Sequence, residues 1–189
     1  MNPLVWLWRI RHRRGYGIHS PFAFSIVKGV IYERGTYLPY APLTLLRKQR
    51  NIKTSERDDR LLLRLANEHQ PCSALLLTSP NDIATEYLKA GCKTCQYEVC
   101  QNVGSAQQEE YDLVYIAPIG NLHLESILPL LSQRALLICR DIRYNKETLN
   151  NWKVCAGNTK LRLSFDLYHI GLAYTETRLN KEHHIINYP

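Results

Sequence analysis

From Ser73 onward the chain alternates short apolar runs with helical stretches, and this alternation constrains the fold more than any other feature. Runs that are apolar on both faces are typical of parallel strands covered by helices on each side. A repeated strand–helix order predicts an α/β fold with a doubly wound, mostly parallel sheet. The four predicted strands are Ala74–Thr78, Cys95–Val99, Tyr111–Ala117 and Arg134–Cys139. The helices predicted between and after them are Asn81–Gly91, Asn121–Gln133 and Asn145–Val154.

The C-terminal part of the chain does not continue this alternation of strands and helices. Lys160–Glu176 contains two extended stretches about a bend at His169–Gly171, and a further strand is predicted in the run HHIINY. Two extended stretches joined by a short bend pair antiparallel. We therefore expect an antiparallel hairpin at this end of the sheet.

The N-terminal part carries helix signals. Ser20 is a natural N-cap, Pro21 suits the first helical position, and Gly35 can end that helix. Ser55 and Asp58 form the pattern of a capping box that opens a second helix. The Pro- and Tyr-rich stretch Thr36–Leu43 between these helices is interpreted as a connector. Residues 1–54 are thus predicted to form a basic helical N-terminal segment, and residues 55–189 the α/β domain.

The positive charge is concentrated in this N-terminal segment. Residues 1–60 hold twelve Lys and Arg residues against four Asp and Glu, whereas the rest of the chain is nearly neutral. Such a face is either simply solvated or meets nucleic acid, an acidic protein or a membrane surface. Arginines interleaved with aromatic side chains suit phosphate contact and base stacking. The arginines of this basic arm are Arg9, Arg11, Arg13 and Arg14, and the aromatic residues are Trp6, Trp8 and Tyr16.

Other compositional features narrow the class of protein. No apolar run is long enough to span a membrane, and the first residues do not form a secretory signal, so we expect a cytoplasmic protein. The six cysteines include CKTCQYEVC, which begins like a zinc knuckle but lacks later ligands at suitable spacing. Free thiols are the expected state in a reducing compartment, and no metal site is predicted.

Three stretches carry a resemblance to a known family: RGYGIHSPFAF (Arg14–Phe24), RDIRYNKETLNNWK (Arg140–Lys153) and FDLYHIGLAY (Phe165–Tyr174). With the strand–helix order and the closing hairpin, they resemble class I S-adenosylmethionine-dependent methyltransferases. The resemblance is to methyltransferase-like proteins of Bacteroidetes-type bacteria, in which a basic helical segment precedes a Rossmann-like domain. It implies S-adenosylmethionine as the cofactor of any active form.

The cofactor-binding middle of the chain departs from the family pattern. The resemblance implies an acidic residue and a glycine-containing turn after the first strand, where this chain has Thr78, Ser79 and Pro80. An acidic residue after the second strand would hold the ribose, and Glu98 has the appropriate spacing. After the third strand Ala117 stands in place of an acidic residue. The positions that a cofactor would meet are therefore Thr78, Ser79, Asp82, Glu98 and Ala117.

The turn TSPND can instead be interpreted from its own residues. Ser79 can cap the following helix, Pro80 suits its first position, and Asp82 lies three residues beyond the cap. That is a capping box. It would occupy the amides that a cofactor needs and place a negative charge beside them. The sequence therefore favours a structural helix start, with no cofactor expected.

The chain is also short in the middle. About ten residues (101–110) join the second predicted strand to the third, fewer than a crossover with a helix requires. We expect that one strand and its helices are deleted.

Catalytic candidates are few. After the fourth strand the resemblance implies an acidic pair, where this chain has Arg140 and Asp141. Asp141 alone does not supply the several oxygen ligands of a divalent ion, so a metal-assisted reaction is not predicted. His19 is either a base or substrate contact, or packs beside the Ser20 cap.

Three functions follow from these observations. The first is a methyltransferase-like protein with a degenerate cofactor site that acts as a non-catalytic binding or scaffold module. The second is an active S-adenosylmethionine-dependent methyltransferase with a divergent site, and the third is nucleic-acid binding through the basic arm.

Overall fold

Seven strands form a single sheet in the computed structural model, which describes residues 15–118 and 124–188. The strands are β1 (Ser73–Leu77), β2 (Gln96–Cys100), β3 (Tyr111–Ile116), β4 (Leu131–Arg140), β5 (Leu163–Asp166), β6 (Ile170–Tyr174) and β7 (Glu182–Ile185). Their spatial order is β2-β1-β3-β4-β6-β5-β7. Strands β1 to β4 pair in parallel, and β6 lies antiparallel between β4 and β5. Both the mostly parallel sheet and the closing antiparallel hairpin are as predicted.

Six α-helices flank the sheet among the residues that the structure describes. They are α1 (Pro21–Ile26, continued by a π-helical turn at Val27–Ile31), α2 (Tyr40–Gln49), α3 (Glu56–His69), α4 (Ile83–Gly91), α5 (Leu124–Ile127) and α6 (Lys146–Gly157). The hydroxyl of Ser20 accepts a hydrogen bond from the amide of Ala23, and that of Ser55 from the amide of Asp58. Both predicted N-caps are therefore present.

Helix α2 corrects one prediction from the sequence, because it begins inside the stretch that was interpreted as a connector. Its first residue is Tyr40, and Pro42 follows within the first turn. The first amides of a helix have no intrahelical partner, so a proline there costs no hydrogen bond. The prolines mark the start of a helix here and not a connector.

Within residues 124–133, only a short part of the helix predicted over Asn121–Gln133 is formed. Residues 119–123 lie outside the described residues, and α5 covers only Leu124–Ile127 before a 3-10 turn at Leu128–Leu130. Pro129 lies in that turn and cannot continue an α-helix. The following residues join strand β4 instead, which begins at Leu131.

The core is divided between the two faces of the sheet. On one face Leu76, Leu113 and Ile138 pack with residues of α1, α2, α3 and α4. On the other face Leu75 and Leu137 pack with residues of α5 and α6. The two-sided burial explains why the strand sequences lack a polar face.

The connection between β2 and β3 is as short as predicted. Residues 101–110 contain only a 3-10 turn at Val103–Ser105, and no helix covers β2 between these strands. The sheet therefore ends at β2 on this side, and no further strand lies between β2 and β3.

All six cysteines are free thiols, and four of them are buried. Within residues 15–118 and 124–188, no group of three or more His, Cys, Asp or Glu side chains is placed to hold a metal ion. None of the helices in those ranges is both long and apolar enough to cross a membrane.

The contact between α3 and α4 depends on a glycine, which gives a test of the packing. A Cβ atom at Gly91 would lie 2.3 Å from the carbonyl oxygen of Leu63 and 2.8 Å from the Cβ of Ala66. Because the nearest atom is backbone, one helix must shift. We predict that Gly91→Ala lowers the free energy of unfolding by about 1–3 kcal/mol, measured by urea denaturation.

Gly104 provides the matched control, since a Cβ atom there would have no neighbour within 4 Å. Gly104→Ala should leave the denaturation midpoint nearly unchanged. Equal effects of the two substitutions would show that the helix contact is not as close as described.

Candidate functional site

The turn between β1 and α4 (Thr78–Asp82, the β1–α4 turn) is held by a side chain that differs from the predicted cap. Asp82 is the N-cap of α4, and its Oδ1 accepts a hydrogen bond from the amide of Ala84 at 3.0 Å. The helix begins at Ile83, so the prediction that Ser79 caps it and that Pro80 is its first residue was wrong. The carboxylate of Asp82 stands directly before the first helical residue, where it reaches the free amides that the hydroxyl of Ser79 is too far back to cap.

Asp82 is also bound from the sheet. Thr78, buried at the end of β1, donates its hydroxyl to Oδ2 of Asp82 at 2.7 Å. The hydroxyl of Tyr115, on β3, lies 3.3 Å from the same oxygen. With the amide of Ala84, three donors therefore converge on one carboxylate. These hydrogen bonds tie the β1–α4 turn to the start of α4 and to the neighbouring strand.

A buried ion cluster lies beside this turn, on the face covered by α2 and α3. Asp59, from the first turn of α3, is fully buried and accepts hydrogen bonds from Arg47 on α2 and from Arg140 at the end of β4. The distance from Arg140 Nη1 to Asp59 Oδ1 is 2.5 Å. Arg47 also donates to the carbonyl oxygen of Thr54. One carboxylate thus joins two helices and a strand.

Burial and charge act against each other in this cluster. Burial raises the pKa of Asp59, and the guanidinium groups of Arg140 and Arg47 oppose that effect only in part. Burial alone would lower the pKa of Arg140, but its contacts with Tyr115 and with the carboxylate of Asp59 raise it instead. Arg140 is therefore a fixed positive charge that is paired with a carboxylate from α3.

Glu98 lies on β2, level with Leu75 of β1, and its carboxylate turns to the short connection between β2 and β3. It accepts a hydrogen bond from the amide of Gln107 at 3.0 Å and another from the hydroxyl of Tyr111. Partial burial alone would raise the pKa of Glu98, but the hydrogen bonds from Tyr111, Cys100 and Gln107 lower it. The ionised carboxylate of Glu98 therefore anchors residues 101–110 by these hydrogen bonds.

The remaining predicted positions are separated from one another. The amide of Ala117 donates to the carbonyl oxygen of Leu77 at 3.0 Å, which places Ala117 beside the β1–α4 turn. Asp141 follows β4 with a positive φ of 56°, and its carbonyl oxygen accepts from the amide of Tyr144. His19 is exposed before the start of α1, and no hydrogen bond within the described ranges joins it to Asp141. Thr78, Ser79, Asp82 and Ala117 are brought together, whereas Glu98, Asp141 and His19 are not.

Sequence reasoning missed Arg47, Asp59 and Tyr115. A signal was present for Asp59, because it precedes Leu62 and Ala66 at helical spacing on a buried face. An acidic residue on an apolar helical face is buried only when it is paired. The identity of its partners depends on the tertiary fold. The basic arm, Arg9, Arg11, Arg13 and Arg14, lies outside the described residues.

Comparison with solved structures identifies the architecture. A methyltransferase from Geobacter sulfurreducens matches with a TM-score of 0.54 at 14% identity, over 84% of this chain and 98% of that chain. An O-methyltransferase from Bacillus cereus in complex with SAH matches with a TM-score of 0.53 at 11% identity, over 75% and 92%. An SAH-bound methyltransferase from Podospora anserina matches with a TM-score of 0.56 at 9% identity, over 82% and 96%.

No family model matches the chain, and no curated protein sequence matches it either. The structural matches therefore stand at low sequence identity and define the architecture alone. This chain has the fold of the class I S-adenosylmethionine-dependent methyltransferases.

The ion cluster predicts a large stability effect. Asp59→Asn keeps the shape of the side chain but leaves Arg47 and Arg140 buried without a counter-charge. We expect the free energy of unfolding to fall by about 3–5 kcal/mol, measured by urea denaturation. Arg178→Gln, which removes an exposed partner of Glu176, is the control and should leave the midpoint unchanged. A small effect of Asp59→Asn would show that the cluster is not buried.

Glu98 predicts a pH-dependent effect. Because its pKa is lowered below the ordinary value of 4.5, the ionised carboxylate stabilises the folded state. The stability difference between the wild type and Glu98→Gln should be present above pH 4.5 and shrink as the pH falls further. At neutral pH, amide hydrogen exchange at Gln107 should be about five- to tenfold faster in Glu98→Gln. A difference that is independent of pH would contradict this role.

Proposed function

We propose that this chain is a methyltransferase-like protein whose cofactor site is closed by its own side chains, and that it acts as a non-catalytic binding or scaffold module. The observation that carries the proposal is the saturation of Asp82 by Thr78, Ala84 and Tyr115. In this fold a ligand at the first turn would need free amides at the start of the following helix.

The backbone of the β1–α4 turn supports the same conclusion. The amide of Asp82 donates to the carbonyl oxygen of Ser79 at 3.0 Å, and that of Thr85 to the carbonyl oxygen of Asp82 at 3.1 Å. Pro80 has no amide to offer. The carboxylate of Asp82 adds negative charge at the place where the carboxylate of a bound amino-acid moiety would approach. A ligand would have to displace several hydrogen bonds and overcome this charge.

Glu98 is the residue proposed to hold the ribose in an active form, and its contacts argue against that role. Its oxygens already accept from Gln107 and Tyr111, and these bonds hold the short connection in place. If Glu98 bound a ribose, it would lose the hydrogen bonds that hold residues 101–110 in place.

Titration with S-adenosylmethionine and with S-adenosylhomocysteine tests the proposal. We expect no saturable heat by calorimetry and no rise in thermal stability at about 1 mM ligand. A dissociation constant of about 100 μM would instead stabilise the protein by roughly 1.4 kcal/mol at that concentration. Micromolar binding that Glu98→Ala abolishes would contradict the proposal.

The competing candidate is an active S-adenosylmethionine-dependent methyltransferase with a divergent site. The observation that favours it is the similarity to methyltransferases whose structures contain SAH. In that case Glu98 would contact the ribose, and Asp141 or His19 would lie near the methyl acceptor. The same titration separates the two candidates, because only this one requires the cofactor to bind.

The basic arm supports a third candidate, nucleic-acid binding. Its arginines release counterions when they contact phosphates, so affinity for a mixed RNA pool should fall steeply with added salt. Replacing Arg9, Arg11, Arg13 and Arg14 by Gln should remove both the binding and its salt dependence, as measured by fluorescence anisotropy. Binding that does not respond to salt would exclude this candidate.

A further inference from the structure

A cavity of about 410 Å³ opens between the end of the π-helical turn after α1, the start of α3 and Tyr188 near the chain end. Its chemistry comes from four arginines and from tyrosine rings, and we call it the arginine cavity. The residues used in the argument are Arg34, Arg57, Arg60, Arg64, Tyr40 and Tyr188. None of them belongs to the β1–α4 turn or to the ion cluster around Asp59.

Arg64 places a buried positive charge in this cavity. Arg64 is 7% exposed. It donates to the carbonyl oxygens of Val30 at 2.8 Å and of Ile31 at 3.5 Å, and to the hydroxyl of Tyr40 at 3.2 Å. These partners are neutral, and no carboxylate of the described residues lies within ion-pair distance of it. Buried guanidinium groups are ordinarily paired with an anion. An anion in the cavity would supply the missing charge.

Arg57 and Arg60 are held against tyrosine rings. The guanidinium carbon of Arg57 lies 4.5 Å from the ring centroid of Tyr188, and that of Arg60 lies 4.8 Å from the centroid of Tyr40. Stacking of this kind fixes the plane of a guanidinium. Arg57 donates from Nε and Nη2 to Asp58, and Arg60 donates from Nε and Nη2 to Glu56. Among the described residues no hydrogen bond engages the Nη1 group of either arginine, so this group is available to a ligand. Both side chains are partly exposed, at 47% for Arg57 and 39% for Arg60, so they are accessible to a ligand.

The acidic residues of the lining do not neutralise the cavity. Glu56 accepts from Arg60 at 2.8 Å, and Glu33 accepts from the amide of Gly35. Arg34 is exposed and forms no ion pair with any described carboxylate. Asp58 also pairs with Arg57, at 3.3 Å. Four guanidinium groups against three carboxylates leave one positive charge in excess. The electrostatics of the cavity therefore select an anion.

The size of the cavity suits a ligand larger than an inorganic ion. A second cavity of about 540 Å³ shares Arg34, Tyr40 and Arg60 with it and continues along α2 past Ala41 and Leu45. Volumes of this size accept small organic ligands. The tyrosine rings and this less polar extension suit a planar ring next to the charged group.

We propose that the arginine cavity binds a small organic phosphate that carries a planar ring, a ligand of mononucleotide size. Arg57 and Arg60 contact the phosphate, the buried charge of Arg64 attracts it, and Tyr40 and Tyr188 flank it. Guanidinium groups with fixed planes match the geometry of phosphate oxygens.

This inference goes beyond the proposed function, because it assigns a ligand to a site away from the cofactor turn. It holds whether or not S-adenosylmethionine binds. A failed phosphate titration would leave the result of the S-adenosylmethionine titration intact.

Calorimetric titration with adenosine 5′-monophosphate, inorganic phosphate and adenosine tests the proposal on the full chain. We expect adenosine 5′-monophosphate to bind about tenfold or more tightly than either of the other two, because it alone supplies both groups. The affinity should fall at high salt. Binding of adenosine 5′-monophosphate no tighter than that of adenosine, or no tighter than that of inorganic phosphate, would overturn the proposal.

Substitutions of the cavity arginines test whether the ligand binds in this cavity. Arg57→Gln combined with Arg60→Gln should weaken it by about tenfold or more, since charged hydrogen bonds to the phosphate are lost. Both side chains are partly exposed, so the fold is retained, and circular dichroism checks this. Arg178→Gln is the control and should bind as the wild type does. Unchanged affinity in the double variant, or full competition by S-adenosylhomocysteine, would overturn the assignment to this cavity.

Discussion

The carboxylate of Asp59 holds together the parts of this molecule that sequence order keeps apart. It is fully buried, and it pairs with Arg47 from the N-terminal helices and with Arg140 from the fourth strand of the sheet. Because isolated charges are costly to bury, both arginines of this cluster depend on Asp59 for a counter-charge. The N-terminal helices are therefore fixed on the sheet by charge as well as by apolar packing.

The cluster also accounts for the character of the neighbouring turn. Tyr115 lies between the two groups: its hydroxyl approaches Asp82, and its contact with Arg140 helps to raise the pKa of that guanidinium. A chain of polar contacts thus runs from α2 through α3 and β4 to the β1–α4 turn. Buried polar networks of this kind are rigid once every member is satisfied. These contacts lie at the carboxyl ends of β1, β3 and β4, the edge of the sheet where ligands bind in open α/β folds.

The sequence predicted the features that local patterns determine. Apolar runs gave the strands, and Ser20 and Ser55 gave two helix starts, because caps and periodicity act over a few residues. The sequence places the N-cap of α4 at Ser79, whereas the structure has it at Asp82. Both residues fit a capping pattern, and only the fold decides between them. Asp59 and Arg140 are 81 residues apart in the sequence, and no local pattern predicts a contact at that separation.

The central claim is that the β1–α4 turn is satisfied by its own side chains and holds no cofactor. The most direct test is a crystal structure of the protein grown with S-adenosylhomocysteine. The account predicts that Thr78 and Tyr115 remain hydrogen-bonded to Asp82, with no adenosyl density beside them. Density for an adenosyl group against Thr78–Asp82 and Glu98 would contradict it, and the chain would then be an enzyme with a rearranged cofactor site.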